Sequence, residues 1–241
     1  DQTSADKKFW GYDSDGDGYL DTPKTHQQLG RDEVIWPDQM LRNAFLHQHN
    51  LSLRANVGKD TQILAGLGYL GQQGLIVNND YSKFTANLKV DHSPNKKVTM
   101  GMSANYARMK SVGAASSTGG GFSNFGLTQL IFVERPMAYL EDPSDAESSY
   151  TSQTSILDCV SGETSRTGIT NKVLGNAYFS WKIIPTLTFR VYASGMFSDS
   201  SDNEFFTNKT RWGHKSNGLA QVVNNRSLNY TANATLTYRN R

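Results

Sequence analysis

The string DSDGDGYLD places Asp13, Asp15 and Asp17 on alternate positions, with Gly18, the carbonyl of Tyr19 and Asp21 just beyond. Alternate carboxylates converge on one side of a turn, glycine permits the sharp bend, and a main-chain oxygen supplies the next position. That is the opening of a calcium loop. Calcium takes about six to eight oxygens. Lys24 stands where a full EF-hand has its bidentate glutamate, so water or a neighbouring loop must supply the rest. The competing reading is a solvated acidic turn, but three carboxylates this close repel one another unless a cation compensates. Ca2+ is therefore the one cofactor expected, held by Asp13, Asp15, Asp17, Tyr19 and Asp21.

The other reactive side chains are dispersed. Cys159 is the only cysteine, which rules out an internal disulfide and a cysteine-rich metal site, and a lone thiol in a loop is usually a bystander. Among the histidines, His26, His92 and His214 lack metal-ligand spacing. His47 and His49 project from one face of a strand, and we place that pair on a polar lumen surface rather than at a metal. Gly119, Gly120 and Gly121 have no following Lys and Ser or Thr, so they form a flexible linker and not a phosphate cradle. No GxSxG, HExxH or paired Cys-His arrangement is present, and the protein is not expected to be an enzyme. A formal net charge of +2 with no dense basic stripe excludes nucleic acid as a partner.

Behind these residues lies a strong strand pattern. Leu51, Leu53, Ala55 and Val57 alternate with Ser52, Arg54 and Asn56, and Leu228, Tyr230, Ala232, Ala234, Leu236 and Tyr238 alternate with Asn229, Thr231, Asn233, Thr235 and Thr237. Each such strand has one oily and one wet side. About seven strands can be drawn. They cover Ala44 to Val57, Thr61 to Gln73, Tyr81 to Asp91, Lys97 to Lys110, Asn171 to Ile183, Thr186 to Phe197 and Arg226 to Tyr238. Their links alternate in length: Gly58 to Asp60, His92 to Lys96 and Ile184 to Pro185 are tight, whereas Ser111 to Thr170 is very long.

A mean hydropathy of −0.55 and the lack of any run near 20 apolar residues exclude a helical membrane protein. A barrel escapes that objection because only alternate residues meet lipid. Short turns on one side and long loops on the other are the barrel pattern, with the tight turns facing the periplasm. A soluble β-sandwich also alternates, hiding its oily faces in a core. Two features favour the barrel: strands often longer than ten residues, and Tyr69, Tyr106, Trp181 and Tyr238 near strand ends.

The run from Trp36 to Lys110 carries a more specific signature. Trp36 with Asp38, Asn43 to Phe45, His49 to Ser52, Leu67 to Leu70, Gln73 with Gly74, then Leu75, Ile76, Asn78, Asp80 and Tyr81 follow one another in a linked order. In that order they resemble the TonB-dependent outer-membrane transporters of the SusC/RagA type. Pro136 to Tyr139, Gly175 to Tyr178 with Trp181, Leu187 to Phe189 and Leu228 to Tyr238 resemble the later strands and loops of the same family. HNLSLRANVG lacks the paired glycines of the family pattern, and Ala86 and Lys89 stand where arginine and asparagine are often seen.

The resemblance implies an all-β, antiparallel transmembrane barrel segment of about seven strands, out of roughly 22 in a plugged barrel. Residues 1–35 become an extracellular loop with the calcium turn, and residues 36–241 a partial barrel. It also implies that the chain is trimmed from a longer one, beginning inside the first extracellular loop and ending near the eighth strand, without plug or leader. The implied setting is a bacterial outer membrane, with lipid around the barrel, the TonB complex acting through the missing plug, and a SusD-like surface lipoprotein as lid. The cargo implied is a nutrient, an oligosaccharide first, with peptide, siderophore or corrinoid as the alternative. Phe122, Phe125 and Trp212 in external loops are candidates to stack on sugar rings. A rival of another class is a secreted, calcium-stabilised β-sandwich that binds glycans.

Overall fold

The computed structural model describes residues 36–113, 162–210, 213 and 216–239. A five-residue helix, α1 (Trp36–Met40), precedes seven strands. These are β1 (Leu46–Val57), β2 (Thr61–Gln73), β3 (Asp80–Asn95), β4 (Val98–Gly113), β5 (Thr164–Ile184), β6 (Leu187–Phe206) and β7 (Leu219–Tyr238). All seven form one antiparallel sheet in sequence order, each strand paired with its chain neighbours. The segments expected from alternation are thus strands, with β5, β6 and β7 longer than their alternating cores. Among the described residues no helix is long and apolar enough to cross a membrane.

The register sorts every side chain onto one of two faces, because partners in a row point the same way. One row runs Leu51, Leu67, Ala86, Tyr106, Val173, Phe197 and Leu228 across all seven strands. A lower row runs Ala55, Ile63, Val90, Met102, Ala177, Ala193 and Ala232. The row between the two holds Leu53, Ala65, Leu88, Ala104, Gly175, Gly195 and Tyr230. The oily sides seen in single strands therefore fuse into one unbroken apolar surface. On the reverse, Asn50, Gly68, Thr85, Ala107, Lys172, Ser198 and Ser227 make a mainly polar row.

The apolar surface has the height of a bilayer. On β6 it extends from Leu187 to Phe197 and on β7 from Leu228 to Tyr238, roughly 11 residues, against the ~9–11 that a tilted spanning strand needs. Above it, β6 turns to Asp199, Ser201 and Asn203, and β7 to Arg226 and Asn224. Aromatic side chains stand at both borders, with Tyr69, Phe84, Tyr106 and Phe197 above and Phe179, Trp181, Phe189 and Tyr238 below.

Strand tilt follows from where the tight links end. Thr61, closing the β1–β2 link, lies level with His92 and Met100, whereas the β5–β6 link lies beyond the row of Val98 and Trp181. The ends step by roughly one residue per strand, which at a rise of ~3.3 Å and a spacing of ~4.8 Å gives a tilt of roughly 35°. That is the lean a membrane barrel requires. Register shifts at His92/Asn95 and Lys182/Ile184 sit beside two of the tight links, where a bulge ends pairing.

A sandwich needs a second layer, and the described residues provide none. Leu51, Leu53, Leu228 and Leu236 are each more than 60% exposed, while Met40 and Phe206 are the fully buried large apolar side chains among them. In water each such leucine forfeits roughly 1.5–3 kcal/mol of burial. In hydrocarbon it forfeits nothing.

At the upper end, Arg42 fastens the β2–β3 link. Its Nε donates to the Gly74 carbonyl at 3.0 Å, and one terminal nitrogen donates to the Asn79 carbonyl at 2.8 Å and to Asp80 Oδ1 at 2.7 Å. Leu41 bridges Ile76, and the Val77 amide donates to the Met40 carbonyl. Asn78 takes the left-handed conformation (φ 61°) that asparagine tolerates in a tight turn.

The face assignment predicts unequal costs for one charge. In the full-length parent, Ala193→Arg puts a guanidinium at mid-height on the apolar face and should cost about 2 to 4 kcal/mol, whereas Ser194→Arg, one residue on and on the polar face, should cost far less. Folding into lipid vesicles measures both, and equal costs would contradict the assignment.

Candidate functional site

The polar face carries two groups of organised polar side chains. The lower one straddles three strands. Asp91 of β3 and Tyr178 of β5 lie in one row with Gly101 of β4 between them, and the Tyr178 hydroxyl donates to Asp91 Oδ1 at 2.8 Å. The bond passes over the glycine: a Cβ at Gly101 would meet Asp91 Oδ1 at 2.5 Å and Tyr178 Cε1 at 2.6 Å. Lys89 Nζ pairs with Asp91 Oδ2 at 2.8 Å, and the Arg190 guanidinium lies over the Tyr178 ring at 5.4 Å. Carboxylate, phenol and two cations thus form an ordered polar patch whose members hold one another in place.

The upper group sits where β5 and β6 have left the apolar band. Arg166 makes a two-toothed ion pair with Asp202, Nε to Oδ1 at 3.0 Å and a terminal nitrogen to Oδ2, and Nε also lies 3.5 Å from Glu204 Oε1. Hydrogen bonding to Arg166 holds the Asp202 carboxyl below its ordinary range, and the same bond raises the guanidinium. Glu204 behaves oppositely. It is 9% exposed and its Oε2 is buried with no hydrogen-bond partner, so burial pushes its carboxyl up, with Asp202 adding to the rise and Arg166 opposing it. Beside it, Glu163 accepts from Thr207 Oγ1 at 2.5 Å and pairs with Lys209 at 2.9 Å. The Lys209 and Thr207 bonds lower the Glu163 carboxyl. Thr210 Oγ1 donates to the Thr207 carbonyl at 2.8 Å and accepts from the Gly213 amide at 3.0 Å, bracing the start of the β6–β7 link.

The residues expected from sequence to bind calcium, Asp13, Asp15, Asp17, Tyr19 and Asp21, lie outside the described residues, as do Phe122, Phe125, Trp212 and Cys159. Among the described residues no three His, Cys, Asp or Glu side chains gather in a way that could hold a metal ion. The placement of His47 and His49 needs correction. They pair with Gly71 and Tyr69, in line with Leu51 and Leu53, so they belong to the apolar face and not to the lumen. His47 lies 5.5 Å from the Tyr69 ring in a stacked pose and 5.5 Å from His49. An imidazole is amphipathic, and these two stand at the upper border with the tyrosines, where a ring can be half in oil. Sequence reasoning also missed Asp91 with Tyr178 and Arg166 with Asp202, since each pair is assembled only by register.

Comparison with known proteins supports the fold. No family model matches the chain, and no curated protein does. Solved structures do. The RagAB peptide importer in its closed-closed state is 16% identical with a TM-score of 0.64, over 99% of this chain and 28% of that one. Its open-open state gives 15% identity and a TM-score of 0.63, over 99% and 27%. Another structure, of the RagAB peptide transporter, gives 15% and 0.64, over 86% and 24%. The chain has the fold of an outer-membrane-type barrel segment like that in the RagAB structures, and it spans about a quarter of their length.

The upper group predicts a pH effect of definite sign. A carboxyl raised in the folded state contributes stability that is full below its ordinary 4.5 and is lost as pH rises through the raised value. Asp202 and Glu163, being lowered, keep their contributions until pH falls through their depressed values. Hydrogen-exchange protection at 204–207 in the full-length parent should therefore be greater at pH 4.5 than at pH 8, and Glu204→Gln should flatten the difference. Greater protection at pH 8 in the parent would contradict the burial argument.

Proposed function

We propose that the chain is part of a TonB-dependent outer-membrane importer, its apolar face against lipid and its polar face lining a plugged lumen. The observation that carries this reading is the likeness in fold to the RagAB importer, joined to an apolar band of bilayer height. The strands act as wall and do no covalent chemistry. Asp91, Tyr178, Lys89 and Arg190 offer donors and acceptors to a plug, and the long links at the upper end face the outside, where cargo and a SusD-like lipoprotein arrive.

Oligosaccharide is the cargo implied by the family resemblance, with Phe122, Phe125 and Trp212 as stacking surfaces. Peptide is the second reading, favoured because the solved structures of this fold import peptides. The full-length parent, isolated from outer membranes, should bring a lipoprotein encoded beside it, and cells deleted for the parent should lose growth on one of the two polymer classes only. Recovery of the parent as a soluble protein without a lipoprotein would contradict the importer.

DSDGDGYLD belongs to the same proposal as an external calcium turn. Calcium at roughly 0.1 to 1 mM, typical for exposed modules, should protect residues 1–35 of the parent from protease, and Asp15→Ala with Asp17→Ala should abolish that protection while the barrel stays folded. No calcium effect on the unmutated loop at several millimolar would make it a plain acidic turn.

A further inference from the structure

The apolar face is not smooth. Ala65, Ala86 and Ala104 fall on neighbouring strands within a field of larger side chains, and they leave an open groove of about 480 Å³ between Leu53 and Leu67 on one side and Tyr106 on the other. Directly above the groove the same face changes character. Beyond Tyr106 on β4 come Arg108 and then Lys110, both exposed, with Phe84 and Ser82 of β3 as their row partners. The Tyr106 hydroxyl donates to Asn171 Oδ1 at 3.0 Å, in the row of Arg108, which marks where oil gives way to polar surroundings.

Two cations stand here on the lipid side. Among the described residues neither Arg108 nor Lys110 takes part in an ion pair. The nearby outward carboxylates are already engaged, Asp80 by Arg42 and Asp199 by Arg226. Successive same-face residues are about 7 Å apart, so a guanidinium and an ammonium on these stems can reach one tetrahedral anion, with Ser82 as the row partner of Lys110. A groove for a hydrocarbon chain and a cationic pair at headgroup height, one above the other, match the two halves of one molecule.

We propose that this face holds a phosphate-bearing lipid of the outer leaflet, an acyl chain in the Ala65–Ala86–Ala104 groove and its phosphate on Arg108 and Lys110. The proposal rests on the membrane placement given above. Headgroup charge supplies selectivity and the groove supplies contact, so the two can be separated by mutation.

The test uses the full-length parent in detergent, with lipid binding counted by native mass spectrometry. Dioleoyl phosphatidylglycerol should bind in preference to dioleoyl phosphatidylcholine, and Arg108→Gln with Lys110→Gln should cut that preference about tenfold. Filling the groove with Ala86→Phe and Ala104→Phe should weaken both lipids and keep the preference. Dihexanoyl phosphatidylglycerol, too short to fill the groove, should bind weakly, and millimolar inorganic phosphate should not compete. Unaltered mobility of unheated protein on gels verifies that each variant is folded. Equal binding of the two dioleoyl lipids, an unchanged preference in the double glutamine variant, or displacement by inorganic phosphate would overturn the lipid site while leaving the barrel intact. Recovery of the parent without any lipid or detergent would overturn the membrane placement itself.

Discussion

A backbone amide in hydrocarbon has no water to bond, and each one left unpaired costs several kcal/mol. A strand alone cannot meet that demand, because its donors and acceptors point sideways to a neighbour. Among the described residues, the sequence-order pairing of β1 to β7 meets it for the inner strands and leaves one edge each of β1 and β7 without a strand partner. Short links are then required on one side, since only neighbours in the chain pair. Alternation is required too wherever a strand presents one face to hydrocarbon and the other to water. Tilt follows from the same register, each hairpin being offset from the last.

Beyond the apolar band the pattern changes. The upper parts of β5 and β6 carry polar residues on both faces, and Arg166, Asp202, Glu204 and Glu163 gather there in a compact ionic group. Glu204 differs from the other three, buried with one oxygen unsatisfied, and burial pushes its carboxyl up. Level with the apolar band the polar face does something different. There Gly101 gives up its side chain so that Asp91 and Tyr178 can meet across a strand.

These regimes explain what was legible in the sequence. Strand cores such as Leu187 to Phe197 and Leu228 to Tyr238 announced themselves because their apolar residues keep to period two. The continuations Thr164 to Thr170, Ser198 to Phe206 and Leu219 to Asn225 did not, because polar and apolar residues there do not keep to alternate positions, although pairing runs on. Parity already placed His47 and His49 with Leu51, but residue type suggested a lumen, and only the Tyr69 contact shows that the rings belong to a border. The polar groups could not be anticipated at all: Asp91 and Tyr178 are joined by register across a strand that contributes only a missing Cβ. The basic pair Arg108 and Lys110 was visible as sequence, yet its meaning depends on standing above the alanine groove of three adjacent strands.

In the proposed importer the fused apolar surface faces lipid and its reverse faces water. Spin labels placed singly along Phe189 to Phe197 of β6, in the full-length parent reconstituted into bilayers, report it directly through collisions with oxygen and with a water-soluble nickel chelate. The account predicts strict alternation: high oxygen contact at Phe189, Val191, Ala193, Gly195 and Phe197, and high chelate contact at Arg190, Tyr192, Ser194 and Met196. Uniform exposure to the chelate along the strand, or alternation of the opposite phase, would contradict it.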